Sequence, residues 1–349
     1  MMIICITEDR PEFEVPVQLL LLSLTRHCET LPVKLFFSAA TDEFTNWIRQ
    51  FPQVDLDTTA LSEAQGWNVK PQAILALLRA GHDAVLWIDS DIIVTRDFRN
   101  DFDHLDPQTI VGTEEALWGN YSDANAWRAQ RWGMSIGREL PFTFNTAVLR
   151  VTRAHIPLLL AWQRLLDTDA YKCAQALKAD QRPGHMFGDQ DVLTALLTSR
   201  EFSHTDVKFL RRGSDIIQYF GLSGYTCVER FRNLINGPAR FVHSQVFKPW
   251  VKFRTARSIE NVRDFLDTLY LDLSPYTLAA LKYERDLMVA SPWMRPQSTT
   301  AALMRNLGLW YAPLVGLPIA MGADFVRITN LPYAKRLYFR RMSLRDTES

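Results

Sequence analysis

Asp89-Ser90-Asp91 closes the apolar run Ala84-Val85-Leu86-Trp87-Ile88, so two carboxylates stand two residues apart where a buried strand runs out of hydrophobic residues. In extended backbone, side chains at i and i+2 share one face, and both groups then reach a single cation. Such a pair repels itself unless positive charge lies between its members. A divalent metal holding a diphosphate is the most economical occupant; a helix cap beside a solvated loop carboxylate is the plainer alternative. Three other segments carry comparable chemistry. Pro141-Phe142-Thr143-Phe144-Asn145-Thr146-Ala147-Val148-Leu149 sets one amide inside an apolar strand. Phe187-Gly188-Asp189-Gln190-Asp191-Val192-Leu193 gathers carboxylates and an amide at a helix start. Phe241-Val242-His243-Ser244-Gln245-Val246-Phe247-Lys248-Pro249-Trp250 brings an imidazole close to a lysine.

The elements that must position these groups read as alternating strand and helix. Strands are expected over 3–6, 33–37, 84–88, 109–112 and 144–150, and helices over 15–27, 42–50 and 71–80. Gly81 stops the last of these as a C-terminal glycine does. The apolar stretch 18–24 is short and reads as one face of a core helix. Strands alternating with helices favour an α/β sheet whose ligands sit at the carboxyl ends of the strands. Thr7-Glu8-Asp9 and Asp89-Ser90-Asp91 both lie at such ends and face one crevice in that arrangement. From about residue 255 the texture becomes helical (262–270 and 276–289), then Ser291-Pro292 and Arg295-Pro296 punctuate the chain. The expected organisation is a catalytic unit over 1–255 and a helical extension over 256–349.

Size and charge bound the rest. A chain of 349 residues, 47% hydrophobic and 22% charged, has ample apolar content for a core. Lys+Arg 39 balances Asp+Glu 39, so no global basic field argues for nucleic acid. Cys5, Cys28, Cys173 and Cys227 are scattered, with no CxxC, which suits a reducing compartment. Met1-Met2-Ile3-Ile4-Cys5-Ile6 has no basic leader and reads as a first strand, so a cytoplasmic location is expected.

Taken in order, the four segments resemble the motif series of the family eight retaining glycosyltransferases, the group that includes glycogenin and bacterial lipopolysaccharide galactosyltransferases. The resemblance spans roughly residues 1–252. It implies a GT-A fold, a mixed central sheet flanked by helices, and a nucleotide-diphosphate sugar donor, usually a UDP-sugar. It also implies Mn²⁺ or Mg²⁺ held by Asp89, Asp91 and His243, hard oxygens with one imidazole. By the same resemblance Lys70, Ser90, Asn145 and Lys248 would contact the donor, and Thr7 and Asp9 would line its nucleoside pocket. Asp189 would touch sugar hydroxyls and Gln190 would lie near the anomeric carbon. Glutamine is a poor nucleophile, so front-face attack by the acceptor is favoured, with these two residues stabilising oxocarbenium character. The chain departs from the pattern in places. His243 and Lys248 are one residue closer than usual with no Gly between them, Ala147 stands at a Gly position, and Thr194 replaces a frequent Asn.

Plainer roles stay open for these residues. His243 also suits a satisfied core histidine, Asn145 a strand bend, Asp189 a helix N-cap, and Lys70 a solvated position before Pro71. The aromatic segment from Trp118-Gly119-Asn120-Tyr121 to Trp127 and Trp132 suits either a lip over the acceptor or a loop plugged onto the core. Residues 307–323 carry no charge, and Arg327, Lys335, Arg336, Arg340, Arg341 and Arg345 follow, interleaved with Leu337, Tyr338 and Phe339. Peripheral contact with an anionic membrane and packing on the catalytic unit are the two readings. The function expected is transfer of a hexose to a glycan or lipid-linked acceptor; the rivals are a nucleotidyltransferase and a catalytically inactive sugar-nucleotide-binding or scaffold protein.

Overall fold

A computed structural model describes residues 2–59, 61, 66–115, 125–220, 224–246, 248–252, 262–289 and 291–328. The expected aromatic lip at 118–121 and the basic residues of 329–349 lie outside the described residues.

Ten strands are formed among the described residues: β1 Met2–Glu8, β2 Val33–Phe37, β3 Val54–Asp57, β4 Ala84–Ile88, β5 Ile92–Val94, β6 Thr109–Glu114, β7 Phe144–Thr152, β8 Asp206–Leu210, β9 Ile216–Gln218 and β10 Phe241–His243. Seven build the main sheet in the order β3-β2-β1-β4-β7-β6-β8, and β5, β10 and β9 build a second, smaller one. β7 runs antiparallel to both its neighbours; the other pairings of the main sheet are parallel. The carboxyl ends of β1, β4 and β6 therefore meet the start of β7 along one edge.

Continuous apolar runs make β1 and β4 central because both faces of a parallel sheet are covered. Ile3 and Cys5 of β1, with Val85 and Trp87 of β4, enter one core beneath the helices Lys70–Arg79, Ile156–Leu166 and Asp189–Thr198. Ile4, Ile6, Leu86 and Ile88 point the other way, into a core capped by Val17, Leu20, Leu21 and Leu24 of helix Glu14–Cys28. The stretch 18–24 is thus a core helix face.

Several elements differ from expectation, among them β5, β8, β9 and β10, which the strand pattern did not give. The helix expected over 276–289 stops early: Pro275–Ala280 is helical, a short 3-10 turn follows at Leu281–Tyr283, and the Met288 N–H leaves the helical ladder for Gln18 Oε1 at 3.0 Å. β3 is a half-buried edge strand whose Val-Asp-Leu-Asp pattern was not read as one. The C-terminal helices share a core with the rest of the chain: Tyr270, Tyr276, Trp293 and Met294 cluster with Phe13, Leu19, Ile93, Ile217 and Trp250.

Candidate active site

Strand geometry ends at Ile88, and a turn rather than a pleat brings the two aspartates together. The Asp89 N–H is held by the Ala147 carbonyl of β7 at 2.8 Å, and the Ile92 N–H donates to the Asp89 carbonyl at 3.2 Å, reversing the chain into β5. β10 then pairs antiparallel with β5, setting His243 opposite Ile92, and the Ser244 N–H donates to the Asp91 carbonyl at 3.1 Å. One ligand atom each from Asp89, Asp91 and His243 lies within 4.8 Å of the others. The His243 ring is buried, its Nε2 stands 3.3 Å from Asp91 Oδ1, and its Nδ1 has no hydrogen-bond partner. A buried imidazole converging with two carboxylates at this spacing fits a divalent cation.

Two lysines currently neutralise the carboxylates. Lys70 is buried rather than solvated: its ammonium lies 3.0 Å from Asp89 Oδ1 and 3.6 Å from Asp189 Oδ2, and donates to Thr146 Oγ1 at 2.9 Å. Burial favours the neutral amine, yet Asp189 and then Asp89 outweigh it and hold the Lys70 pKa above its ordinary value. Asp89 Oδ1 also accepts the Trp87 indole N–H at 2.7 Å. On the other aspartate, the Lys248 ammonium donates to Asp91 Oδ2. Burial pushes the Asp91 carboxyl up, but Lys248 and His243 prevail and keep it well below the usual carboxylate range. Lys248 also donates to the Ser244 carbonyl, so the absence of a glycine between His243 and Lys248 does not keep this lysine from the carboxylates.

Beside this pair lies a closed network that the sequence reading did not find. Glu115, one residue past β6 and buried, accepts hydrogen bonds from Gln190 Nε2 at 2.7 Å, Asn145 Nδ2 at 2.8 Å and Gln245 Nε2 at 2.9 Å. Asn145 Nδ2 also donates to Gln190 Oε1 at 2.9 Å, and its own Oδ1 accepts from Thr113 Oγ1 and the Ala147 N–H. Asn145 is thus a node joining β6, β7 and helix Asp189–Thr198, more than a bend. The signal for Glu115 was available: it is a carboxylate just past a strand's carboxyl end, the same rule that pointed to Asp89.

Gly188, not Asp189, caps this helix, and its N–H donates to Asp191 Oδ2 at 3.2 Å. Asp189 is freed to face Lys70 and to accept Thr146 Oγ1–H at 2.9 Å; burial still leaves its pKa raised. Asp191 is pushed up to about 7 by burial, against the pull of the Arg128 guanidinium 3.0 Å away. Thr194 spans two elements: its hydroxyl donates to the Gln190 carbonyl and accepts the Phe144 N–H at the start of β7.

The remaining expected residues flank this centre. Ser90 donates to Glu8 Oε2 at 2.6 Å, and Glu8 in turn holds Arg10, which tethers the aspartate turn to the end of β1. Asp9 is half-exposed and accepts the Gly66 N–H at 2.9 Å, and Thr7 sits in β1 opposite Phe36. Trp132 is tied to the His185 carbonyl, so this member of the aromatic segment packs onto the protein.

No family model and no curated protein matches the sequence. Solved structures do match. One is the apo structure of WbbM, a bifunctional glycosyltransferase, at 13% identity and a TM-score of 0.52; the match covers 84% of this chain and 50% of that one. This chain therefore spans about half the length of that structure. The galactosyltransferase LgtC, in complex with donor and acceptor sugar analogues, is 13% identical over 85% of this chain and all of its own, at a TM-score of 0.46. GlyE of Streptococcus pneumoniae TIGR4 is 16% identical over 84% of this chain and 66% of its own, at 0.42. With its mixed seven-stranded sheet flanked by helices, the chain has a GT-A glycosyltransferase fold.

Proposed function

We propose that this protein is a metal-dependent retaining glycosyltransferase. It moves a hexose from a nucleotide-diphosphate sugar, a UDP-sugar foremost, to a glycan or lipid-linked acceptor. One observation carries this: His243, distant in sequence, converges with Asp89 and Asp91 at the carboxyl edge of a GT-A sheet. When bound there, Mn²⁺ or Mg²⁺ would neutralise charge on the departing diphosphate.

The chain's own residues would do the rest. Lys70 and Lys248 would turn part of their charge from the aspartates to the donor's phosphates, with little reorganisation because both are already in place. Asp189 would accept sugar hydroxyls. Gln190, held by Glu115 and Asn145, would present a fixed amide dipole to a developing oxocarbenium ion. Thr7, Asp9 and Ser90, grouped near the end of β1 and the aspartate turn, would line the nucleoside side of the cleft.

The test is release of free nucleoside diphosphate from a panel of nucleotide sugars with and without Mn²⁺, beside calorimetric binding of the same donors. Metal-dependent release for one donor supports the reading. Absence of both binding and release across the panel refutes it. The Lys248–Asp91 ion pair favours a second reading, a sugar-nucleotide binder without turnover, since an ammonium already stands against a metal-facing carboxylate. Binding without release would select that one.

A further inference from the structure

The helix Cys227–Asn236 is built inside out. Its buried residues include Glu229, Arg230 and Asn233, while Val228, Phe231 and Ile235 are 56%, 57% and 80% exposed. A surface helix ordinarily turns its apolar stripe to the core. This one is held from doing so by specific bonds along its polar face. Glu229 accepts the Thr226 N–H at 2.7 Å and pairs with Arg212 at 3.0 Å. The Arg230 guanidinium donates to the carbonyls of Ala312, Pro313 and Val315, and Asn233 Oδ1 accepts the Tyr225 hydroxyl at 2.7 Å. Rolling the helix to hide Phe231 would turn Glu229 and Arg230 out to solvent and take from the Ala312, Pro313 and Val315 carbonyls the donor that satisfies them.

The neighbouring C-terminal elements repeat the pattern. Helix Leu317–Ile328 joins the first through the Cys227 N–H to Asp324 Oδ2 bond at 2.8 Å, and it leaves Pro318, Met321 and Phe325 exposed at i, i+3 and i+7. Between the two, Leu309 and Trp310 project outward, 77% and 49% exposed, with φ of 51° and 58°. Two bulky residues in the left-handed region are strained positions, and such strain concentrates where a surface is used.

We propose that helix Cys227–Asn236, with the exposed face of residues 307–325, docks on an anionic lipid bilayer. Charge selects this occupant. Residues 325–345 contain Arg327, Lys335, Arg336, Arg340, Arg341 and Arg345 and no Asp or Glu, and Arg232 is exposed on the inside-out helix itself. An exposed apolar surface on a chain that runs on into so basic a sequence suits anionic headgroups better than a protein face of mixed charge. Among the described residues no helix is long and apolar enough to cross a membrane, so the chain would lie on the bilayer. The proposal stands apart from the assignment of transferase activity, since it uses none of the site's residues.

Flotation of the full chain with phosphatidylcholine vesicles, with and without phosphatidylglycerol, tests it. The chain should float with the anionic vesicles and lose that association in high salt. Phe231→Glu with Ile235→Glu should weaken it by about tenfold or more, while the melting temperature stays put because both side chains face solvent. Equal recovery with neutral and anionic vesicles, or undiminished anionic binding by the double variant, would overturn the proposal. So would a dimer in light scattering that the double variant dissociates without change in vesicle binding, since the face would then be a self-association surface.

Discussion

Lys70 is the buried cation on which Asp189 depends, and removing it should be measurable as free energy. In Lys70→Met the Asp189 carboxylate, 7% exposed, loses its ion pair and keeps the neutral donors Thr146 hydroxyl and Gln190 N–H. Asp89 is less affected, since a quarter of its side chain reaches water and it retains the Trp87 indole. Stranding one buried charge costs about 3–5 kcal/mol. Asp189→Asn leaves Lys70 paired with Asp89 and costs about 1–3 kcal/mol. The double variant has no stranded charge, so it should be more stable than Lys70→Met alone, by about 2 kcal/mol. Equilibrium unfolding in urea of the parent, both single variants and the double variant gives the coupling directly. Additive losses, within about 0.5 kcal/mol, would refute the idea that the two groups form one unit.

Other outcomes follow from the same geometry. Asp89→Asn and Asp91→Asn should each lower turnover by about 10²-fold or more, with unchanged circular dichroism and loss of calorimetric Mn²⁺ binding; full turnover in either would refute the metal reading. Glu115→Gln puts an amide donor among three others, so turnover should fall at least about tenfold while stability drops only about 1–3 kcal/mol; unchanged turnover would make the network merely structural. His155, far from this site, is lowered to about 4 by burial, with Nδ1 accepting the Thr152 N–H. Its neutral form stabilises the fold above its ordinary value of 6.5, and that contribution should be lost as pH falls from about 6.5 to about 4. Urea midpoints across that range should fall more steeply for the parent than for His155→Gln, and parallel curves would count against it.

Much of the main sheet was legible because its strands are short apolar runs bounded by turn residues: 33–37 and 84–88 were read with the limits they have. The aspartate pair was legible for the same reason, since a polar triplet ending such a run stands out. The second sheet was not. Each of β5, β9 and β10 is three residues long, too short for a period of two to register, and they pair only through contacts distant in sequence. Lys70 read as ambiguous because its burial depends on Asp189, which nothing local reveals. Glu115 was passed over beside Glu114, though only one of the two turns into the site. The inside-out helix was invisible because its buried Arg230 is satisfied by the carbonyls of Ala312, Pro313 and Val315, supplied by chain some eighty positions later.

The antiparallel ladder between Ile92–Val94 and Phe241–His243 has a consequence for the order of assembly. A nascent chain emerging from the ribosome can complete the aspartate turn once β7 is made, but its imidazole arrives only with residue 243, after every strand of the main sheet has been synthesised. The proposed metal site is therefore complete only late in synthesis, which would make competence for ligand a late outcome of folding.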